Sequence, residues 1–83
     1  MPEIFRFFGF SFFFFSNDHE PIHIHVKKGK CEARFVYVAD KDEFVLESNR
    51  GVKANELSHI QSIIDENKQV ICTTWKQFFY GQD

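Results

Sequence analysis

The sequence predicts an α+β domain: an antiparallel meander of about five strands over residues 4–48, with two C-terminal helices over residues 53–80 packed on one face of the sheet. Three observations predict it. The first fifty residues are rich in Phe, Val and Ile and are broken at short intervals by turn formers, at Gly9, "SNDHEP", Gly29, "ADKD" and "NRG". After Gly51 the apolar spacing changes from that of strands to that of helices. The 83 residues suffice for a single domain, 1–83, and no more. A chain this short buries only about 60–65% of its unfolded surface, so its core is thin. Twelve Phe, two Tyr and one Trp compensate, because each ring covers a large area.

The strands are expected near 4–8, 10–15, 22–27, 31–38 and 43–48. The first hairpin turns at Phe8-Gly9 and pairs Phe7 with Phe10 and Phe5 with Phe12. The run "IFRFFGFSFFFF" is interrupted by Arg6, lacks the basic start and small-residue site of a signal peptide, and at twelve residues is too short to span a bilayer. It reads as folded core, and no membrane association is expected. Gly29-Lys30 suits a type II′ hairpin turn with Gly first. Val26 then faces Ala33, His25 faces Arg34, Ile24 faces Phe35, and Lys27 faces Glu32 as a favourable cross-strand pair. A one-residue slip would mix apolar and charged positions. Across "ADKD", Tyr37 meets Phe44, Phe35 meets Leu46, and Arg34 meets Glu47. Ile24, Val26, Ala33, Phe35, Tyr37, Phe44 and Leu46 thus form a core face. His23, His25, Lys27, Glu32, Arg34, Val36, Val45 and Glu47 form a second face, exposed or at an interface, joined by Arg6, Ser11, Phe13 and Phe15.

Leu57, Ile60, Ile63 and Ile64 mark the first helix, with Asn55 as its N-cap. Ile71, Trp75, Phe78 and Phe79 share a face of a second helix capped by Asn67. The "VICTT" within it would also suit a strand. Two distant cysteines, Cys31 and Cys72, with no CxxC, read as free thiols in a reducing cytoplasm.

Three of the four histidines fall within "NDHEPIHIHV", residues 17–26. His23 and His25, two apart on a strand, point to one face, with His19 in the preceding loop. Three readings compete. No cofactor is required in two of them. In the metal reading, His19, His23 and His25 form a three-nitrogen site for zinc or another divalent transition metal. Arg34 opposite His25, and Lys27 beside it, oppose a cation there. In the anion reading, Arg6, Lys27 and Arg34 suit phosphates and Phe13 and Phe15 suit unstacked bases of RNA. Its catalytic form assigns His19, His23 and His25 as acid–base groups of metal-free RNA cleavage, with Arg34 stabilising charge on phosphorus. Arg34 should disfavour imidazolium and hold His25 neutral. In the third reading the loop caps a turn and the histidines bond backbone groups or fill a dimer seam. Whether the chain is an enzyme stays open. His59 reads as a solvent-facing helix residue. Net charge of −2 excludes a strongly basic tail but not a local basic face. The apolar groups of the second face predict a homodimer or a cognate protein partner.

The motifs Phe8-Gly9, then Asn17, Asp18, His19, Pro21, His23 and His25, then Gly29, and finally Glu32, Ala33 and Phe35 resemble domain-of-unknown-function family 4160, a group of short prokaryotic proteins. The likeness covers most of the chain, which departs in having more phenylalanine in its second strand. The resemblance implies a small intracellular protein of unestablished activity, of a kind suggested to form one half of toxin–antitoxin-like pairs. A binding or interaction module is the leading expectation.

Overall fold

The computed structural model of the chain describes residues 3–81. Its elements are β1 (Glu3–Phe7), β2 (Phe10–Phe13), β3 (His23–Lys28), β4 (Cys31–Val38), β5 (Glu43–Arg50), α1 (Ala54–Glu66) and α2 (Lys68–Tyr80). The strands form one antiparallel sheet in the order β1-β2-β3-β4-β5, so the predicted meander with two C-terminal helices is the fold.

The two hairpins that frame β3 follow their sequence patterns. Phe7 pairs with Phe10 and Phe5 with Phe12 around a Phe8-Gly9 turn. Phe8 has φ 36, a costly backbone for a side chain with Cβ, and its ring is held against Phe10 at 5.0 Å and stacked on His59 at 4.3 Å. His59 is exposed, as its helix position predicts, but it has this aromatic partner. Between β3 and β4 every expected pair occurs, from His23–Val36 to Lys28–Cys31. Gly29 opens that turn at φ 59 while Lys30 stays in the ordinary region, the combination a type II′ turn requires.

β5 departs from its predicted register. Tyr37 meets Phe44 and Phe35 meets Leu46, but a bulge then places Ser48, not Glu47, opposite Arg34. The extra residue lets β5 run on to Arg50, which pairs with Glu32. A bulge bends its strand and re-aims the residues beyond it, and here it brings Ser48 and Arg50 to the same face as His25 and Lys27.

The helix-covered face packs Phe10, Phe12, Ile24, Val26, Ala33, Phe35 and Phe44 against Ile60, Ile64, Ile71 and Trp75, all buried. Tyr37 is half-buried at its margin. Leu46, expected in this core, is 39% exposed because β5 is the sheet edge and the helices close over Phe44 instead. α1 begins at Ala54, with Lys53 rather than Asn55 at its cap, and the Glu56 carboxylate accepts the Lys53 backbone N–H at 3.2 Å. Asn67 alone separates the helices, its side-chain amide donating to the Ile63 carbonyl at 2.8 Å. "VICTT" is helical: burying Ile71 and Trp75 against the sheet outweighs β propensity. The i,i+4 row from Ile71 through Trp75 to the half-buried Phe79, with Cys72 beside it, faces inward, which leaves Phe78 exposed. No helix among the described residues is long and apolar enough to cross a membrane.

Candidate functional site

β2 is buried on both faces. Phe10 and Phe12 face the helices, while Ser11 and Phe13 face the opposite, open side. Phe13 pairs with His25, His25 with Arg34, and Arg34 with Ser48, so these four form one row across the open face. Ser11, Lys27, Glu32 and Arg50 form the next row.

Where the first row meets the β2–β3 loop, three side chains converge. Asp18 is fixed by reciprocal bonds with Phe15: its backbone N–H donates to the Phe15 carbonyl at 3.1 Å, and its Oδ2 accepts the Phe15 N–H at 2.8 Å. The loop also carries a cis peptide between Glu20 and Pro21. His23, the first residue of β3, has Nδ1 2.8 Å from the Pro21 carbonyl. A carbonyl only accepts, so Nδ1 carries a proton and donates it. His23 Nε2 then lies 3.2 Å from Asp18 Oδ1, and His25 Nε2 lies 3.2 Å from Asp18 Oδ2 and 3.4 Å from Oδ1. Aromatic rings close around the group. Phe13 stacks on His25 at 5.4 Å, Phe15 meets its edge at 4.6 Å, and Trp75 lies 5.2 Å from His23.

The expectation that His23 and His25 face solvent or an interface is corrected: they are 2% and 7% exposed. Burial is the first cause holding the His25 imidazolium below its ordinary range; the Asp18 charge opposes it, and Arg34 contributes least. His25 is therefore held toward neutrality in the expected direction, by desolvation more than by the cation opposite. For Asp18, burial alone would push the carboxyl up. The Phe15 N–H, the hydrogen bond and charge of His23, and the charge of His25 together outweigh it, so the group stays ionised more readily than a free carboxyl.

Other predicted residues lie differently. His19 is exposed in the loop and is not one of the converging ligand groups, which are Asp18, His23 and His25; Asp18 takes the place assigned to His19 in the three-histidine metal set. Phe13 is 1% exposed, so it is not a surface for stacking bases, whereas Phe15 is exposed. Arg6 is exposed and paired with Glu3 at 2.7 Å. Arg34 has Nε 2.8 Å from Glu47 Oε1, without hydrogen-bond alignment. Together with His25, Glu32, Ser48, Asn49 and Arg50 it lines a shallow cavity of about 340 Å³. Lys27 is exposed and, with Gly29, Lys30 and Arg50, lines a second of about 560 Å³. Sequence reasoning missed Asp18 as the meeting point and Arg50 as part of the face. The adjacency of Asp18 to the histidine run was visible, but a loop residue's direction is not periodic. Arg50 came into position only through the bulge.

The profile of the family described as Domain of unknown function (DUF4160) matches residues 9–76. The chain belongs to that family. In this DUF4160 chain the match runs from the first hairpin turn to the residue after Trp75, so Asp18, His23, His25, Arg34 and Arg50 all lie within it. No curated protein and no solved structure matches the chain.

Proposed function

We propose that this protein is a non-enzymatic binding module that takes single-stranded RNA on the open face of its sheet. The observation that carries the reading is the clustering of charge. Although the whole chain is at −2, Lys27, Lys30, Arg34 and Arg50 line two cavities that share Arg50. Four cations there meet two carboxylates, Glu32 on Arg50 at 3.1 Å and Glu47 on Arg34 at 2.8 Å. The surplus is positive, and guanidinium forks match phosphate oxygens. The exposed ring of Phe15, against the edge of His25, adds a surface on which one unstacked base can lie.

Histidine-dependent cleavage is favoured less. A general acid or base must reach the reacting proton, and the Nε2 atoms of His23 and His25 are both turned onto Asp18 in a nearly dry pocket. A second reading, binding of a cognate protein as in a toxin–antitoxin-like pair or of a second copy of this chain, draws on β5. It is an edge strand whose residues are exposed except Phe44, and such an edge can accept another strand.

The test is anisotropy of a labelled single-stranded RNA titrated with the protein at several salt concentrations. Contacts from Lys27, Lys30 and Arg50 predict a slope of about −2 in log affinity against log salt. The double variant Lys27→Glu, Lys30→Glu should weaken binding and flatten the slope. Absence of binding at low salt, or binding indifferent to that double reversal, would sink the RNA reading and leave the protein-partner reading in its place.

A further inference from the structure

We infer that Asp18, His23 and His25 form a binding site for one divalent transition-metal ion of the zinc type, held by Asp18 carboxylate oxygen, His23 Nε2 and His25 Nε2. The inference is independent of whether RNA binds the neighbouring face.

The geometry of His23 raises the question. Its Nδ1 proton is committed to the Pro21 carbonyl at 2.8 Å. In the neutral ring, Nε2 therefore presents a lone pair, and that lone pair is aimed at a carboxylate oxygen 3.2 Å away. Two acceptors facing one another in a nearly dry pocket repel unless a cation lies between them. A second proton on His23 would also answer for that pair, with His25 donating from Nε2–H to the other oxygen at 3.2 Å, so the choice between protons and a metal falls to the distances. A single metal ion accounts for all three groups at once.

Distances support the metal. Charge-assisted N–H to carboxylate bonds are usually about 2.7–2.9 Å. The contacts of 3.2, 3.2 and 3.4 Å are long for that class. They are close to the roughly 3.3 Å that separates two ligand atoms on a tetrahedral ion with bonds of about 2.0–2.1 Å. All three groups offer a ligand atom within 4.8 Å of the others. Two imidazole nitrogens and one carboxylate suit zinc and its neighbours rather than calcium or magnesium, which prefer oxygen. Three protein ligands leave a position for water or another donor.

The surroundings are those of a metal ligand set. Metal-bound histidine commonly donates its other N–H to a carbonyl, and ligating carboxylates are themselves hydrogen-bonded. His23 does the first through Pro21, and Asp18 does the second through the Phe15 N–H at 2.8 Å. Phe13, Phe15 and Trp75 supply an apolar shell around the group. The objection from Arg34 is weakened, because its guanidinium is matched by Glu47 at 2.8 Å.

The experiment strips the full chain with a chelator and titrates it with zinc chloride, by calorimetry and by competition with a chromophoric chelator. Cobalt(II) is added separately as a spectroscopic probe of coordination. Expected are one zinc per chain, a cobalt spectrum of low coordination number, and a rise in thermal midpoint with zinc. Asp18→Asn, which keeps an acceptor for the Phe15 N–H, and His25→Ala should each lower zinc affinity by roughly 100-fold or more, beyond the 10–100-fold typical of losing a supporting partner. His19→Ala should leave it unchanged. Far-UV circular dichroism of metal-free Asp18→Asn, matched to the parent chain, keeps loss of fold apart from loss of ligand. Failure of the parent chain to take up zinc, binding retained in folded Asp18→Asn, or loss of binding in His19→Ala would overturn the inference.

Discussion

The two faces of the sheet are closed by different means, and one aspartate on each shows the difference. On the helix-covered side, apolar rows of the strands meet Ile60, Ile64, Ile71 and Trp75. Asp42 works at that side's rim, accepting from Tyr37 at 2.6 Å and from Lys68 at 3.0 Å, in water. On the open side, among the described residues, no helix lies over the strands except where Trp75 of α2 comes within 5.2 Å of His23. The β2–β3 end is closed by Phe13, Phe15 and the loop carrying Asp18, and there the carboxylate is shared by two buried imidazoles. An exposed carboxylate shared by two donors is an ordinary surface tie. A half-buried one, its side chain 11% exposed and shared by two buried histidines, has little water to balance its charge and leans on its neighbours. The second arrangement is the one with chemical consequences.

If the open face has its own core, the largest effect should come from a ring there that has no helix above it. Phe13 and Phe35 are both 1% exposed, on opposite faces. Phe35→Ala should cost roughly 3–5 kcal/mol, and Phe13→Ala should cost about the same. Val45→Ala, on the unclosed end of the open face, should cost well under about 1 kcal/mol. Urea denaturation of the three variants checks the order. A Phe13→Ala penalty as small as that of Val45→Ala would break the contrast between the two ends of that face.

The same contrast between faces marks how far the sequence could be read. Alternation in "HIHVKKGKCEARFVYV" with one glycine at the turn determined β3 and β4 residue by residue, because a slip would have buried Lys27 or Glu32. The helix stripes were legible from their spacing, apart from Phe78, which was assigned to the inner face and is exposed. What alternation could not reveal is whether the second face is wet. His23, His25 and Phe13 were assigned to a face correctly and to an exposed or interface position wrongly, since the covering groups are Asp18 and Phe15 from the aperiodic stretch at 14–22 and, beside His23, Trp75 of α2. The bulge after Phe35–Leu46 is invisible to a period-two argument as well. It moved Glu47 out of register and brought in Arg50. The candidate site was thus half legible: the strand histidines by position, their carboxylate partner only from the fold.

A smaller effect sharpens the comparison through acid. The His25 imidazolium is disfavoured in the folded chain, first by burial, so its folded pKa lies below the ordinary 6.5. Between the two values the unfolded chain holds the extra proton. The stability tied to His25 is therefore fully present above about 6.5 and is lost as pH falls through that value toward the folded one. Asp18 acts in the same sense at lower pH, below its ordinary 3.8. Urea midpoints of the chelator-treated protein should fall between neutral and mildly acidic pH, with a slope from His25 of at most about 1.4 kcal/mol per pH unit. His25→Phe should flatten that part of the curve. A wild-type curve that stays level or rises on acidification would show that the imidazole is not buried as described.

The smallest effect belongs to the exposed aspartate, and it is a shift of a titration rather than of stability. The Tyr37 hydroxyl donates to Asp42 at 2.6 Å. Ionising the phenol would set two anions at hydrogen-bond distance, so the bond is the first cause that pushes Tyr37 up to about 12, with slight desolvation and the Asp42 charge adding to it. Lys68, from α2, also reaches Asp42, at 3.0 Å, which helps keep the carboxylate ionised as the acceptor. Tyr37 and Tyr80 are the chain's two tyrosines, so a Tyr80→Phe background isolates the Tyr37 phenolate in the ultraviolet. Near pH ~11 that background should show a minor phenolate fraction. Adding Asp42→Asn removes the anion while keeping an acceptor, and should bring Tyr37 toward the ordinary phenol range of about 10, so that most of it ionises at the same pH. Equal phenolate in the two proteins would mean that water screens the pair, and that even at the rim of the helix-covered face Asp42 makes no tie that titration can detect.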